Sequence, residues 1–266
     1  MRNVRPPAVA GMFYPADPQT LRRDVERHLA AARPQGAGAG RVKAVIAPHA
    51  GYVYSGPTAG FAFTQLAAEA GEIRRIVLLG PAHRVALRGL GLPECDAFAT
   101  PLGEVPVADD AVGRVAALPA VSRHGAAHEP EHSLEVELPF LQVVLGDFEI
   151  LPLVVGEAAG EEVSAVLEAV WGGPETRIVI SSDLSHYLPY DRARNIDGET
   201  ARAIVALEAP LEPGRACGGL PIDGLLVAAR RRGLTARLLD LRNSGDTAGD
   251  RHRVVGYGAF DFLEAA

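Results

Sequence analysis

The stretch Val42-Lys43-Ala44-Val45-Ile46-Ala47-Pro48-His49-Ala50-Gly51-Tyr52-Val53-Tyr54-Ser55-Gly56 decides how this chain is read. It begins as an apolar, largely β-branched run, the pattern of a strand buried on both faces. Pro48 cannot donate to a sheet ladder, so the strand stops there. His49 follows, then glycines and small residues, then an apolar segment of helical character over 57–70. Open α/β sheets bind ligands in the crevice beyond the carboxyl ends of their strands. A histidine in that position is a candidate for chemistry.

The same punctuation recurs. Arg75-Ile76-Val77-Leu78-Leu79-Gly80 reads as a second buried strand, closed by Pro81-Ala82-His83. Arg177-Ile178-Val179-Ile180-Ser181 reads as another, closed by Ser182-Asp183-Leu184-Ser185-His186. Residues 148–154 form a further strand, and short strands or a hairpin are expected over 89–92 and 98–107. Asp17 reads as an N-cap with Pro18 at the first helical position. Helices are also expected after Asp109 or Asp110, from Ser133 through Val144, and over 159–171, 196–207 and 221–232, the last ended by Gly233. Residues 235–241 and 253–263 read as closing strands, and 35–40 as a flexible Ala/Gly connection. The alternation predicts one α/β domain over 1–266, a mostly parallel central sheet flanked by helices.

Composition narrows the function classes. The chain has 266 residues, 48% hydrophobic and 22% charged, enough for a sizeable core. Its net charge of -7 argues against nucleic-acid or anionic-membrane binding, because phosphates would be repelled. No run of about 20 apolar residues is present, so no membrane span is expected. The first residues lack the apolar stretch of a signal peptide, and the cytoplasm is the expected compartment. Two cysteines, Cys95 and Cys217, do not make a disulfide framework.

His49, His83, Asp183 and His186 each follow a buried strand. If those strands are parallel neighbours, the four side chains meet on one rim. Imidazoles and a carboxylate together are the raw material of a transition-metal site. Cys217 lies before Gly218-Gly219, where a helix near Pro221 would favour a thiolate; it reads equally as a ligand or as a small buried hydrophobe. His132 stands at a helix start and is expected to back the ligands without touching the metal, as is Tyr54. Cys95, His124 and His128 read as bland, His28 as part of the polar face of the first helix, and His252 as solvated.

Several segments together resemble the Memo family, called AmmeMemoRadiSam system protein B in bacteria and archaea. They are residues 5–15, Ala47 through Gly56, Leu79 through His83, Glu131-His132-Ser133-Leu134-Glu135, Ser181 through His186, and Cys217 through Ile222. The resemblance implies a fold related to class III extradiol dioxygenases. It also implies a metal held by His49, His83 and Cys217, with Asp183 and His186 lining the same cleft. Ring-cleaving dioxygenases use two histidines and a carboxylate. A thiolate as third ligand suits copper or zinc as well as iron(II), and puts plain catechol cleavage in doubt.

Three functions compete at this point. One is a metal-dependent redox enzyme of unknown small-molecule substrate, with His186 as acid/base and Asp183 orienting it. Another is an accessory protein acting with the radical-SAM and AMMECR-type partners that the system name implies. The third is a zinc hydrolase.

Overall fold

The computed structural model describes residues 2–32 and 40–265. The expected connection over 35–40 falls almost wholly outside them. In chain order the first elements are β1 (Val4–Arg5), α1 (Pro18–Ala31), β2 (Gly40–Ala47), α2 (Tyr52–Thr64), β3 (Arg75–Pro81) and β4 (Leu90–Leu92). There follow β5 (Ala97–Thr100), β6 (Gly103–Pro106), α3 (Asp109–Val115), β7 (Val121–Arg123), α4 (Gly125–His128), α5 (Leu138–Leu145) and β8 (Glu149–Val155). The remainder is α6 (Gly160–Ala169), β9 (Thr176–Ser181), β10 (His186–Leu188), α7 (Tyr190–Val205), α8 (Gly219–Arg232), β11 (Thr235–Asn243) and β12 (Val254–Ala265).

Nine strands form one sheet in the order β10-β12-β2-β9-β3-β8-β4-β7, with β11 paired to β12. Its centre is parallel: β2, β9, β3 and β8 run side by side. The flanks are not, because β12 joins β2 antiparallel and β4 joins β8 antiparallel. The sheet is therefore mixed around the expected parallel core. Strands β1, β5 and β6 make a separate small sheet. The central strands are mostly apolar because both faces are covered, with Lys43 of β2 and Arg177 of β9 as buried exceptions. Helices α1, α2 and α5 form one group, with α2 against β2; α6 and α8 form another, with α8 against β3 and β9.

Local chemistry explains the boundaries. Asp17 caps α1 by accepting from Thr20 N at 2.9 Å, with Pro18 in the first turn. Gly233 closes α8 at a φ of 67°. The helix expected from Ser133 is a single 3₁₀ turn, Glu135–Glu137, before α5, where Pro139 sits in the first turn and costs no hydrogen bond. Helix α7 starts six residues earlier than expected, since its first turns are polar and carry no apolar periodicity.

His28 departs from expectation: it is buried. A Cβ at position 56 would lie 2.5 Å from His28 Nε2, so glycine there is what lets the imidazole in. Between His124 and His128, residues Gly125–His128 make one helical turn. His128 is buried, and its Nε2 lies 2.8 Å from the Gly91 carbonyl oxygen.

A buried network pins the N-terminal segment to the rest. The Glu135 carboxylate, fully buried, accepts from Arg5 Nη1 at 2.7 Å, Ala8 N at 2.7 Å, Val9 N at 3.0 Å and Tyr14 Oη at 2.5 Å. Arg5 also donates to the carbonyls of His128 and Glu131 at 2.7 and 2.5 Å. Glu135→Ala should cost about 3–5 kcal/mol in urea unfolding, because Arg5 is left buried without its counter-charge. The pair Arg5→Ala with Glu135→Ala should cost less than the sum of the two single changes; additive losses would show that the two groups do not act together.

Burial lowers the His128 pKa from 6.5 to about 4. The unfolded chain then takes up this proton first, so the associated stability is full above pH 6.5 and drains as pH falls toward 4. The loss across that window should be about 3 kcal/mol. His128→Gln should flatten the slope of urea-measured stability there, and an unaltered slope would count against this cause.

Candidate metal centre

The parallel core brings the strand ends together. Ala47 of β2 is level with Ser181 of β9, so His49 and Asp183 emerge side by side. The His49 N–H donates to Asp183 Oδ1 at 2.9 Å. Strand β3 lies on the other side of β9 and delivers His83 to the same rim. His132 arrives from a loop rather than a strand. The ring centroids of His49, His83 and His132 are 5.3, 5.5 and 5.0 Å apart. Each offers a ligand atom, and the three atoms lie within 4.8 Å of one another, a group that could hold a metal ion.

Two buried carboxyl groups orient these rings, and neither was singled out by the sequence reading as a group with a role. Glu131 Oε2 accepts from His83 N at 2.6 Å, while Oε1 lies 3.0 Å from His83 Nδ1. Oε1 also accepts from the amides of His132 and Ser133, both at 2.9 Å, and lies 3.2 Å from His132 Nδ1. With Nδ1 of His83 facing this carboxylate, its Nε2 is left for a ligand.

His49 is set through a hydroxyl. Ser181 Oγ lies 2.6 Å from the Ser133 carbonyl, 2.7 Å from Glu137 Oε1 and 2.7 Å from His49 Nδ1. A hydroxyl has one proton to give and two lone pairs to accept with. The carbonyl can only accept, so the Ser181 proton goes there. Glu137 must then be protonated and donate, and His49 Nδ1 must carry a hydrogen. Burial pushes the Glu137 pKa well above the carboxylate range, in keeping with this assignment. Burial, then the neighbouring His83 and His132, hold the His49 pKa well below its ordinary value. His49 is thus neutral with its lone pair on Nε2, the form that binds a metal.

Cys217 Sγ lies 3.5 Å from His49 Nε2 and accepts from Asp183 N at 3.3 Å. It is outside the group of three mutually close ligand atoms. A Cβ at position 218 would meet Ser182 Cβ at 2.7 Å and Ser181 O at 2.8 Å, so Gly218 is what lets this turn press on the end of β9. Without a bound ion, burial and then the Asp183 charge push the thiol pKa up to about 12, outweighing the helix that starts at Gly219. His186 Nδ1 lies 2.9 Å from the Leu184 carbonyl. That backbone oxygen, not Asp183, orients the ring. Asp183 is instead spent on the His49 amide, and burial raises its pKa.

A cleft of about 400 Å³ opens over the cluster, lined by Phe13, His49, His83, Arg84, His132, Asp183, His186 and Tyr187 among others. Tyr54 does not line it; it stands on the first turn of α2, its ring against Gly51. No helix among the described residues is long and apolar enough to cross a membrane.

Comparison with known proteins agrees with this architecture. A crystal structure of an uncharacterized protein from Escherichia coli K12 superposes with a TM-score of 0.52 at 15% identity, covering 82% of this chain and 99% of that one. A MEMO1 family protein of Archaeoglobus fulgidus is 35% identical over 276 aligned residues, covering 97% of this chain and 99% of its own. One of Methanopyrus kandleri is 36% identical, covering 97% and 98%. The family model for Memo-like proteins matches residues 5–260. With a match across nearly its whole length and relatives at this identity, the chain belongs to the Memo family.

Proposed function

We propose that this protein binds one transition-metal ion at His49, His83 and His132, with Cys217 as a further ligand, and uses it as a redox enzyme on a small molecule. The observation that carries the reading is the convergence of three imidazole nitrogens, within 4.8 Å, on a cleft that also holds His186 and Asp183. Imidazole donors suit iron, copper and zinc; iron(II) is the proposed metal. When bound, such an ion supplies Lewis acidity and, for iron or copper, electron transfer with O₂.

Support for Cys217 is metric. Bonds of about 2.1 Å to nitrogen and 2.3 Å to sulfur would put two donors on one ion about 3–4 Å apart. The observed separation of His49 Nε2 and Cys217 Sγ is 3.5 Å. As the thiol is neutral on its own, it must give up its proton to join the ligand set.

The chain's own groups can manage protons. The Leu184 carbonyl holds a hydrogen on His186 Nδ1, leaving Nε2 free to accept one from a bound substrate. Three histidines are also the donor set of hydrolytic zinc sites, so zinc hydrolysis is the second reading. Anaerobic purification, metal analysis and oxygen-uptake measurement separate the two: iron with O₂ consumption supports the first, zinc with ester hydrolysis the second.

His49→Ala, His83→Ala and His132→Ala should each remove most of the bound metal. Glu131→Gln should weaken it about 10–100-fold by freeing two rings to turn. In the cobalt(II)-loaded protein, Cys217→Ala should abolish the near-ultraviolet sulfur-to-metal band. A band that persists, or was never present in the wild type, removes Cys217 from the ligand set and leaves three histidines.

His186→Ala should leave metal content nearly intact and lower turnover by about 10²–10⁴, the usual worth of an acid/base group. Metal loss in this variant would make His186 a ligand instead.

A further inference from the structure

We propose that the cleft admits a small organic anion, its carboxylate held by Arg84; this deepens the metal-site reading above and rests on it. Arg84 follows His83 directly and lines the cleft. Its guanidinium makes no hydrogen bond or ion pair among the described residues. Arg5 and Arg215, which line two other clefts, are committed to Glu135 and to Glu199 and Glu212, while Arg88 beside a third has no ion pair among the described residues but no histidine cluster next to it either. An unpaired planar fork beside a ligand cavity is the group best matched to a carboxylate.

Two further features of the wall are positive. Gly51, the N-cap of the 13-residue helix α2, lines the cleft and provides no side-chain cap, so the helix's positive end lies beside the cavity, its Tyr52 amide already donating to the Phe13 carbonyl. Asp183 is the acid among the lining residues, and it is buried beneath with its Oδ1 bound to the His49 amide. Across the mouth, Tyr187 is 61% exposed and sits at a φ of 58°, a conformation that costs a non-glycine residue energy. The Arg253 guanidinium stacks on its ring, 5.0 Å from the centroid, with no carboxylate partner among the described residues. The mouth thus carries two guanidinium groups, Arg84 and Arg253, on a chain whose net charge is -7, above the buried carboxyl groups of Glu131 and Asp183. Phe13 and Tyr187 supply apolar walls for a planar body, and about 400 Å³ suits a molecule of one ring.

Benzoate and benzamide share shape and differ in charge, which makes them the probes. Cobalt(II) uptake is measured first for the wild type and Arg84→Gln; each is then titrated with both compounds by calorimetry, with and without cobalt. The wild type should bind benzoate about tenfold or more tightly than benzamide. Arg84→Gln should abolish that preference while cobalt uptake and benzamide affinity stay as they were. Equal affinities in the wild type, no measurable benzoate binding, or a preference that survives Arg84→Gln would overturn the proposal. Absence of cobalt uptake with the benzoate preference intact would sink the metal reading and leave the anion site standing.

Discussion

The Glu131 carboxylate is the constraint on which the centre depends. It is buried beneath the two rings it orients and contacts the backbone of three residues in two separate segments. Burial alone would raise its pKa, but hydrogen bonds from His132, His83 and the amides of His83 and Ser133 outweigh this and hold it well below the usual carboxylate range. A buried charge is tolerated only when it is so fully paired. The same demand for pairing makes the geometry narrow, because any shift of the loop after β3 strands an acceptor. The rings of the candidate metal site are thus preorganised by an electrostatic requirement of the fold itself.

Arg5 and Glu135 extend this logic outward. Arg5 donates to the Glu131 carbonyl as well as to the Glu135 carboxylate, so the segment bearing His132 is gripped from both ends. The N-terminal residues it fastens include Phe13, whose carbonyl accepts from Tyr52 N at 2.8 Å and whose ring meets His132 edge-on at 4.8 Å. One wall of the cleft is therefore made by a segment that carries no regular structure of its own.

Much of this was legible in the sequence, for a physical reason. His49, His83 and Asp183 follow buried strands, and parallel pairing places such positions together whatever the intervening helices do. Glu131 and His132 had no such signal. Their role depends on a loop meeting another loop, and no periodicity marks that. His132 was expected to stand behind the ligands, yet it offers a nitrogen beside them. Ser181 and Glu137 were invisible for the same reason, since a hydroxyl at a strand end and an acid in an apolar run only acquire roles once β9 packs on the 3₁₀ turn. His28 was misplaced because helical patterning counts histidine as polar, and it took Gly56 on a neighbouring helix to open room for it. The antiparallel flanks were hidden because a strand's neighbour is not written in its own residues.

The position of β12 has a consequence for biosynthesis. This strand follows all the others in the chain, yet it lies between β10 and β2 and also pairs with β11. Until it emerges from the ribosome, the edge of β2 that precedes His49 stays open and the short strand bearing His186 has nothing to pair with. Contacts of such long sequence separation are slow to form, because loop closure must precede any gain. The first two hundred and fifty residues can collapse around β2, β9, β3 and β8, but the rim closes only when synthesis is nearly done. A nascent chain stalled before residue 254 would present a half-built cleft with an unpaired strand edge, a target for chaperones and for mispairing rather than for metal.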